Sequence, residues 1–503
     1  MITLAKLQDA NAAVRARALQ TLRRALGPAA LAQHAEVVVA LLEDKKACVR
    51  AEAVMTLNKL EPATFAQHAG DVVAKLEHGN ADVRCSALDT LCKLDKVTLA
   101  QHAGAVAARL EDSGACVREE ALLTLGKLKP AALAQHADAL VAMLEDSVWG
   151  VRSTALQTLR KLNKTTLTSH ANALVAMLSD SDPLVRSNAL ATVGNLKLAT
   201  LTQHVDVVAA GLEDEHHSVR SAAVLTVRKL KPAVLADVVV PRLEHSSSEV
   251  RIAALDALRK QASLAQHVVA RLEDSNGRVR QIALKVLGTM LEPLALHAGA
   301  VAARLEDSDD MVRDTALATL GELEPATLAQ HADAIAARLD DTNVVRCSAL
   351  STLSKLNPAA LAQYAGVVAA RLEDHDLYVL GNALRTLREL EPAALAQYAG
   401  AVAARLEDYD FYVLGNALRT LRELEPATLA HHAYGVVARL EDARPYVREH
   451  ALETLHKLPR FVTHGVDFTS SALRPRLLGR LAWYRCRLRL RVERLAWYWY
   501  ALP

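Results

Sequence analysis

The chain has 503 residues, half of them apolar but only 4% aromatic, and a formal net charge of +2. That length exceeds the ~250–300 residues that one hydrophobic core serves, so the chain must split into domains or repeat a small unit, and its wealth of Ala and Leu favours closely packed helices. Charge is uneven: residues 459–503 hold nine Arg, one Asp and one Glu, a net of +7, which leaves 2 − 7 = −5 for the rest. A mildly acidic body excludes duplex DNA as a partner, since that binding needs many phosphate contacts.

In chain order, a Val-Arg step recurs at Val14-Arg15, Val49-Arg50, Val83-Arg84, Val117-Arg118, Val151-Arg152, Val185-Arg186, Val219-Arg220, Val250-Arg251, Val279-Arg280, Val312-Arg313 and Val345-Arg346. Val379-Leu380 and Val413-Leu414 keep the position without the Arg, and Val447-Arg448 closes the series, giving 14 repeats mostly 34 residues apart. In the fifth, Pro130 suits the first turn of a helix, and Leu133, Ala137, Leu140, Val141 and Leu144 follow at helical spacing. Asp146-Ser147 ends that helix and offers an N-cap to a second one carrying Val151, Ala155, Leu156, Leu159 and Leu162. The pattern predicts two antiparallel helices per repeat, about 15 and 12 residues long. One pair cannot bury its apolar faces alone, so neighbours must stack. The expected fold is all-α: a right-handed α-solenoid over residues 1–458, followed by a basic, Trp- and Tyr-rich segment, 459–503, outside the repeat.

A 34-residue period also fits tetratricopeptide repeats, but their Trp/Leu-Gly/Tyr pattern is missing, as is the Thr-Pro-Leu-His of ankyrin repeats. The unit resembles HEAT repeats, which place an Asp in the turn and Val-Arg at the start of the second helix, six residues after that Asp. The pairs Asp44/Arg50, Asp112/Arg118, Asp146/Arg152, Asp180/Arg186, Asp214/Arg220, Asp274/Arg280, Asp307/Arg313 and Asp442/Arg448 all keep that spacing. The resemblance implies a ladder of charge-assisted hydrogen bonds between repeats. His78 and His245 replace the Asp, while Leu380 and Leu414 replace the Arg and are expected to leave Asp374 and Asp408 without a partner. The last two changes sit in near copies: Gln363–Leu390 and Gln397–Leu424 differ at three positions, the mark of a tandem duplication.

A histidine recurs in the first helix (His34, His68, His102, His136, His170, His204, His267, His297, His331 and His432), with Tyr364 and Tyr398 in its place in two repeats. Tyr is rarely a zinc ligand, so the row reads as half-buried rings. Desolvation should depress their pKa values and make the array acid-sensitive. The recurring Glu of Leu-Glu-Asp, such as Glu111 and Glu145, reads as a solvated helix end. Between Arg220 and Arg280 the spacing contracts to 31 and then 29 residues, with Pro241 inside a first helix, and residues 235–267 are a candidate hinge.

On the concave side of such a stack, a row at the end of the second helices contains Arg160, Arg228, Arg259, Arg388 and Arg422, suited to acidic peptides but interrupted by Gly126, Gly194, Gly288 and Gly321. No phosphate loop, nucleophile elbow or His-Glu-x-x-His is present, and the His-Glu pairs of iron-binding HEAT enzymes are missing. The expected role is a protein or peptide scaffold without catalysis, metal or cofactor. A bilin-lyase-like enzyme, and an adaptor touching anionic membrane or RNA through the basic aromatic segment, are the alternatives. Six cysteines without zinc spacing, no apolar signal core and no ~18-residue apolar run point to a soluble cytoplasmic protein.

Overall fold

In a computed structural model, which describes residues 4–458, every repeat is a helical pair, and no strand occurs among the described residues. The second helices are regular. Most run 11 residues, as in Trp149–Leu159 and Pro183–Val193. Several start under a side-chain cap: the Asn80, Asp182, Asn276, Asp309, Asp376 and Asp410 side chains accept amides of their own first turns, satisfying donors that a helix start leaves free. Their inner faces are fully buried; Val151, Ala155, Leu156 and Leu159 expose nothing. Each such Leu or Val contributes roughly 1.5–3 kcal/mol, and within residues 4–293 and within residues 294–458 the second helices pack against one another from repeat to repeat.

The first helices are not the continuous ~15-residue rods that periodicity suggests. In the fifth repeat the chain runs Pro130–Leu133, then a 3₁₀ turn Ala134–His136, then Ala137–Ala142 and a further 3₁₀ turn Met143–Glu145. The recurring histidine is the joint. His136 lies at φ −109°, ψ 13°, off the helical values, and its half-exposed ring stands at a bend rather than on an uninterrupted apolar face. Tyr364 and Tyr398 hold the same joint, at φ −105° and −107°.

The eighth and ninth repeats break the pattern. The eighth has lost its joint and begins with one straight helix, Pro232–Val239; Pro241 falls in the following 3₁₀ turn, Val240–Glu244, so its missing N–H interrupts no α-helix. The ninth keeps only Ala262–Leu264 ahead of Ala265–Ala270. The shortened link forces Lys260 to φ 66°, the one non-glycine with positive φ among the described residues. A left-handed residue with a Cβ costs roughly 1–2 kcal/mol. Lys260→Gly is therefore expected to stabilise the fold by up to about 1 kcal/mol once the extra backbone entropy of Gly is deducted, read as a raised melting temperature; an unchanged or lower melting temperature would show that the turn is unstrained.

By internal contacts the chain divides into two blocks, Met1–Pro293 and Leu294–Pro503.

Candidate functional site

The site is built on what joins one repeat to the next. Each ladder Arg makes two kinds of bond. One goes backward to its own turn: Nη1 of Arg118, Arg152, Arg186 and Arg313 donates to the main-chain oxygens of Asp112, Asp146, Asp180 and Asp307, six residues earlier. The other goes forward, as a two-pronged ion pair with the Asp of the next repeat. The pairs are Arg15–Asp44, Arg84–Asp112, Arg118–Asp146, Arg152–Asp180, Arg186–Asp214, Arg251–Asp274 and Arg313–Asp341, at 2.5–2.9 Å, with Arg346–Asp374 looser at 3.1 Å. The spacing of six thus marks a backbone bond, and the ion pair spans about one repeat. Arg50, Arg220, Arg280 and Arg448 make the same backward bond to the Asp44, Asp214, Asp274 and Asp442 oxygens.

This direction corrects the expected gaps. Asp374 is paired, with Arg346. The carboxylates that Leu380 and Leu414 leave behind are those one repeat on, Asp408 and Asp442. Asp442 recruits Arg444 from its own turn, at 2.8 and 2.9 Å, and that guanidinium also reaches the Tyr409 oxygen. Its hydrogen bonds hold the Asp442 carboxyl at about 2. Likewise His78 and His245 displace partners of the preceding repeat: Arg50 turns to Asp82 and Arg220 to Glu249, both on exposed helix surface. The two histidines still brace the turn as Asp would, their Nδ1 atoms accepting the Asn80 and Ser247 amides.

Three further rows escaped the sequence reading. Buried threonines of the second helices (Thr124, Thr158, Thr192, Thr226, Thr352, Thr386, Thr420 and Thr454) donate to main-chain oxygens of the preceding second helix at 2.8–3.2 Å. Lys59, Lys161, Lys229, Lys355 and Lys457 donate to the last-turn oxygens of the previous second helix, where a cation suits the helix dipole. The glycines of the Arg row belong here: a Cβ on Gly126, Gly194 or Gly321 would stand 2.7–3.0 Å from the arriving lysine Nζ. Finally, several of the Glu residues taken as solvated are paired across repeats, as in Lys75–Glu43, Arg109–Glu77, Arg271–Glu244 and Arg338–Glu306. Recurrent Ala-Leu-x-Thr-Leu and Lys-Leu were the available signals for the first two rows.

All three links change at one step. Between the seventh and eighth repeats the Asp is His245, the Thr is Ala257, and the Lys is Lys260 with its left-handed backbone. There the second helices His217–Val227 and Ser248–Ala257 border an open groove of about 550 Å³. Arg220, Arg228 and Arg259 line it with Glu249 and Asp256, over an apolar floor that includes Val224 and Ile252. Leu225 at its edge is 62% exposed. Arg220 is neutralised by Glu249 at 2.9 Å, and Arg259 by Asp256 at 2.9 Å. Arg228 is not: its Nε and Nη2 donate to the main-chain oxygen of Asp256. Burial lowers its pKa against the pull of the Asp256 carboxylate, with Arg259 adding repulsion. The groove therefore carries one guanidinium charge in excess.

Of the other Arg positions, Arg160 is exposed outside the groove, Arg388 lies beside Glu389 and Arg422 is paired with Glu453 at 2.6 Å. The structure brings together only Arg228 and Arg259. No group of three or more His, Cys, Asp or Glu residues able to hold a metal occurs among the described residues, and no described helix is long and apolar enough to cross a membrane. Cys48 and Cys116 are exposed rather than packed as small apolar residues. Burial and the neighbouring Cys116 push the Cys85 thiol up to about 12, which leaves it protonated at neutral pH. Cys486 and the whole basic segment lie outside the described residues.

Residues 171–259, which include this step, match the family model for HEAT repeats. No curated protein sequence matches the chain. Among solved structures, Kap121p is similar with a TM-score of 0.60 at 14% identity, over 91% of this chain and 53% of that one. Kap95p, from a structure in which its binding is described as inducing the switch loops of RanGDP to adopt the GTP-bound conformation, gives 0.61 at 13% identity over 93% and 74%. Importin beta gives 0.56 at 14% over 90% and 72%. The chain spans about half the length of Kap121p, and at these identities the likeness is one of fold. The matched segment resembles HEAT repeats, and the same helical pair repeated on both sides of it gives the chain the fold of an α-solenoid.

Proposed function

We propose that this chain is a non-catalytic protein-binding scaffold, and that the groove between its seventh and eighth repeats receives an extended peptide segment bearing carboxylates. The observation that carries this reading is Arg228: a guanidinium in a groove, bonded to a neutral carbonyl while its neighbours Arg220 and Arg259 are each matched by a carboxylate. A carboxylate from outside completes that balance through the two-pronged geometry Arg favours, and Leu225 and Ile252 offer apolar contact to flanking side chains. Similar solenoids support a polypeptide partner: Kap121p has been solved bound to Nup53p, to Pho4p and to the extreme C-terminus of the phosphatase Cdc14p.

Fluorescence anisotropy with a labelled Glu/Leu peptide and its Gln/Leu counterpart tests it. The acidic peptide is expected to bind at least ten-fold more tightly. Arg228→Glu should abolish that preference, while Arg160→Glu, outside the groove, leaves it intact. Equal affinity for both peptides, or equal effects of both substitutions, would refute the assignment.

A further inference from the structure

The ladder gap in the twelfth and thirteenth repeats is also an aromatic surface. With Leu380 and Leu414 in place of Arg, the next position is glycine in both repeats, and each glycine sits under a tyrosine ring of the following repeat. A Cβ on Gly381 would stand 2.2 Å from Tyr412 Cε1, and one on Gly415 2.5 Å from Tyr446 Cε1. Both glycines have ordinary helical backbones, so they serve close approach rather than backbone freedom. The bare helix surface lets the rings lie down, and Tyr412 then meets Tyr378 at a centroid distance of 6.3 Å. Tyr378 is 72% and Phe411 56% exposed. A monomeric surface seldom leaves several large rings together in water without a use for them.

The same surface is acidic. Asp408 has lost the arginine its counterparts hold and, among the described residues, accepts only the Asp410 amide. Asp376 and Asp410 cap their own helices, and Asp376 also accepts the Asn343 amide; none of these bonds neutralises a carboxylate. The nearby cations Arg346 and Arg444 are each committed to another carboxylate, Asp374 and Asp442. Rings with open faces beside three uncompensated carboxylates are complementary to guanidinium groups, which stack on aromatic faces and fork onto carboxylates.

We infer that this face is the docking site of the chain's own basic segment, residues 459–503. Charge complementarity argues for it: that segment holds nine Arg, no Lys, one Asp and one Glu, interleaved with Trp and Tyr. Reach argues for it as well. The segment follows directly on Leu458 in the fourteenth repeat, and helix layers stack about 10 Å apart. The face begins only one repeat back, while the 16 residues from Leu458 to Arg474 can span roughly 50 Å. Arg, whose charge is constant and whose fork is planar, is the residue such a face selects over Lys. Docking there would cover the exposed rings and supply the cation that Leu380 took away.

Limited trypsin digestion of the full chain, followed by mass spectrometry of the cuts after Arg476 to Arg494, tests this directly. The expected result is that these sites are cut at least five-fold faster in Tyr378→Ser/Phe411→Ser and in Asp408→Asn/Asp410→Asn than in the wild type. Raising the salt concentration should speed cleavage in the wild type and leave the carboxylate variant unchanged. Tyr378 and Phe411 are exposed and Asp408 and Asp410 half-exposed, and circular-dichroism melts check that the variants remain folded. Equal cleavage rates in the wild type and in both folded variants would overturn the inference. Failure of the acidic-peptide titration would not, since that groove lies in the other block.

Discussion

Arg152→Ala is expected to destabilise the array by about 3–5 kcal/mol, the range for breaking a buried ion pair by removing one partner. Arg152 holds Asp180 through Nε and Nη2 at 2.7 and 2.8 Å and its own turn through the Asp146 oxygen at 2.9 Å. The Asp180 side chain is only 7% exposed, so its carboxylate would be left with the Asp182 amide alone. Lys at this position should rescue little, because an ammonium cannot fork. Arg50→Ala is the internal control. Arg50 is itself buried, but its partner Asp82 is 65% exposed, so its removal strands no buried carboxylate, and an ion pair to so exposed a group contributes about 0–1 kcal/mol. Denaturant midpoints should separate the two variants clearly; equal losses would mean that the ladder's burial does not matter.

Acid should unfold the array below pH 4 rather than near pH 6. Arg15 holds the Asp44 carboxyl below its usual value through a hydrogen bond. For Asp112, Asp146, Asp180, Asp214, Asp274 and Asp341, burial pushes the carboxyl up, and the arginine hydrogen bond with a main-chain N–H more than reverses it. A carboxyl lowered on folding contributes its full stability above the unfolded value, 3.8 here, and loses it as pH falls through the folded value, which for Asp442 is about 2. Eight such groups act in the same direction, so far-UV circular dichroism should be constant from pH 7 to about 4.5 and collapse between about 4 and 2. Burial, with His431 adding repulsion, lowers the pKa of His432, and that site weakens the fourteenth repeat once pH drops below 6.5. A major transition at pH 6 would contradict the assignment of acid sensitivity to the aspartates.

What the sequence made legible is what repeats in phase. Val-Arg recurs in phase 12 times and Leu-Glu-Asp nine times across the 14 repeats, and a period that strong specifies helix pairs whatever single residues do. The register of the ion pairs was harder. A spacing of six joins Arg152 to Asp146, but the bond at that spacing ends on a carbonyl, while the carboxylate lies 28 residues on in Asp180. Local spacing cannot distinguish these, which is why the carboxylates left by Leu380 and Leu414 were placed one repeat too early. The joint at His136 was hidden for a related reason: the i, i+4, i+8 spacing survives a single non-helical residue. The groove depends on three substitutions in separate elements, His245, Ala257 and Lys260, none of which means anything until their rows are seen side by side.

Hydrogen exchange on the full chain, with and without a saturating Glu/Leu peptide, tests the scaffold reading most directly. The account predicts slowed exchange confined to the second helices His217–Val227 and Ser248–Ala257 and the turns that flank them. Protection confined to other repeats, or none at saturation, would contradict it.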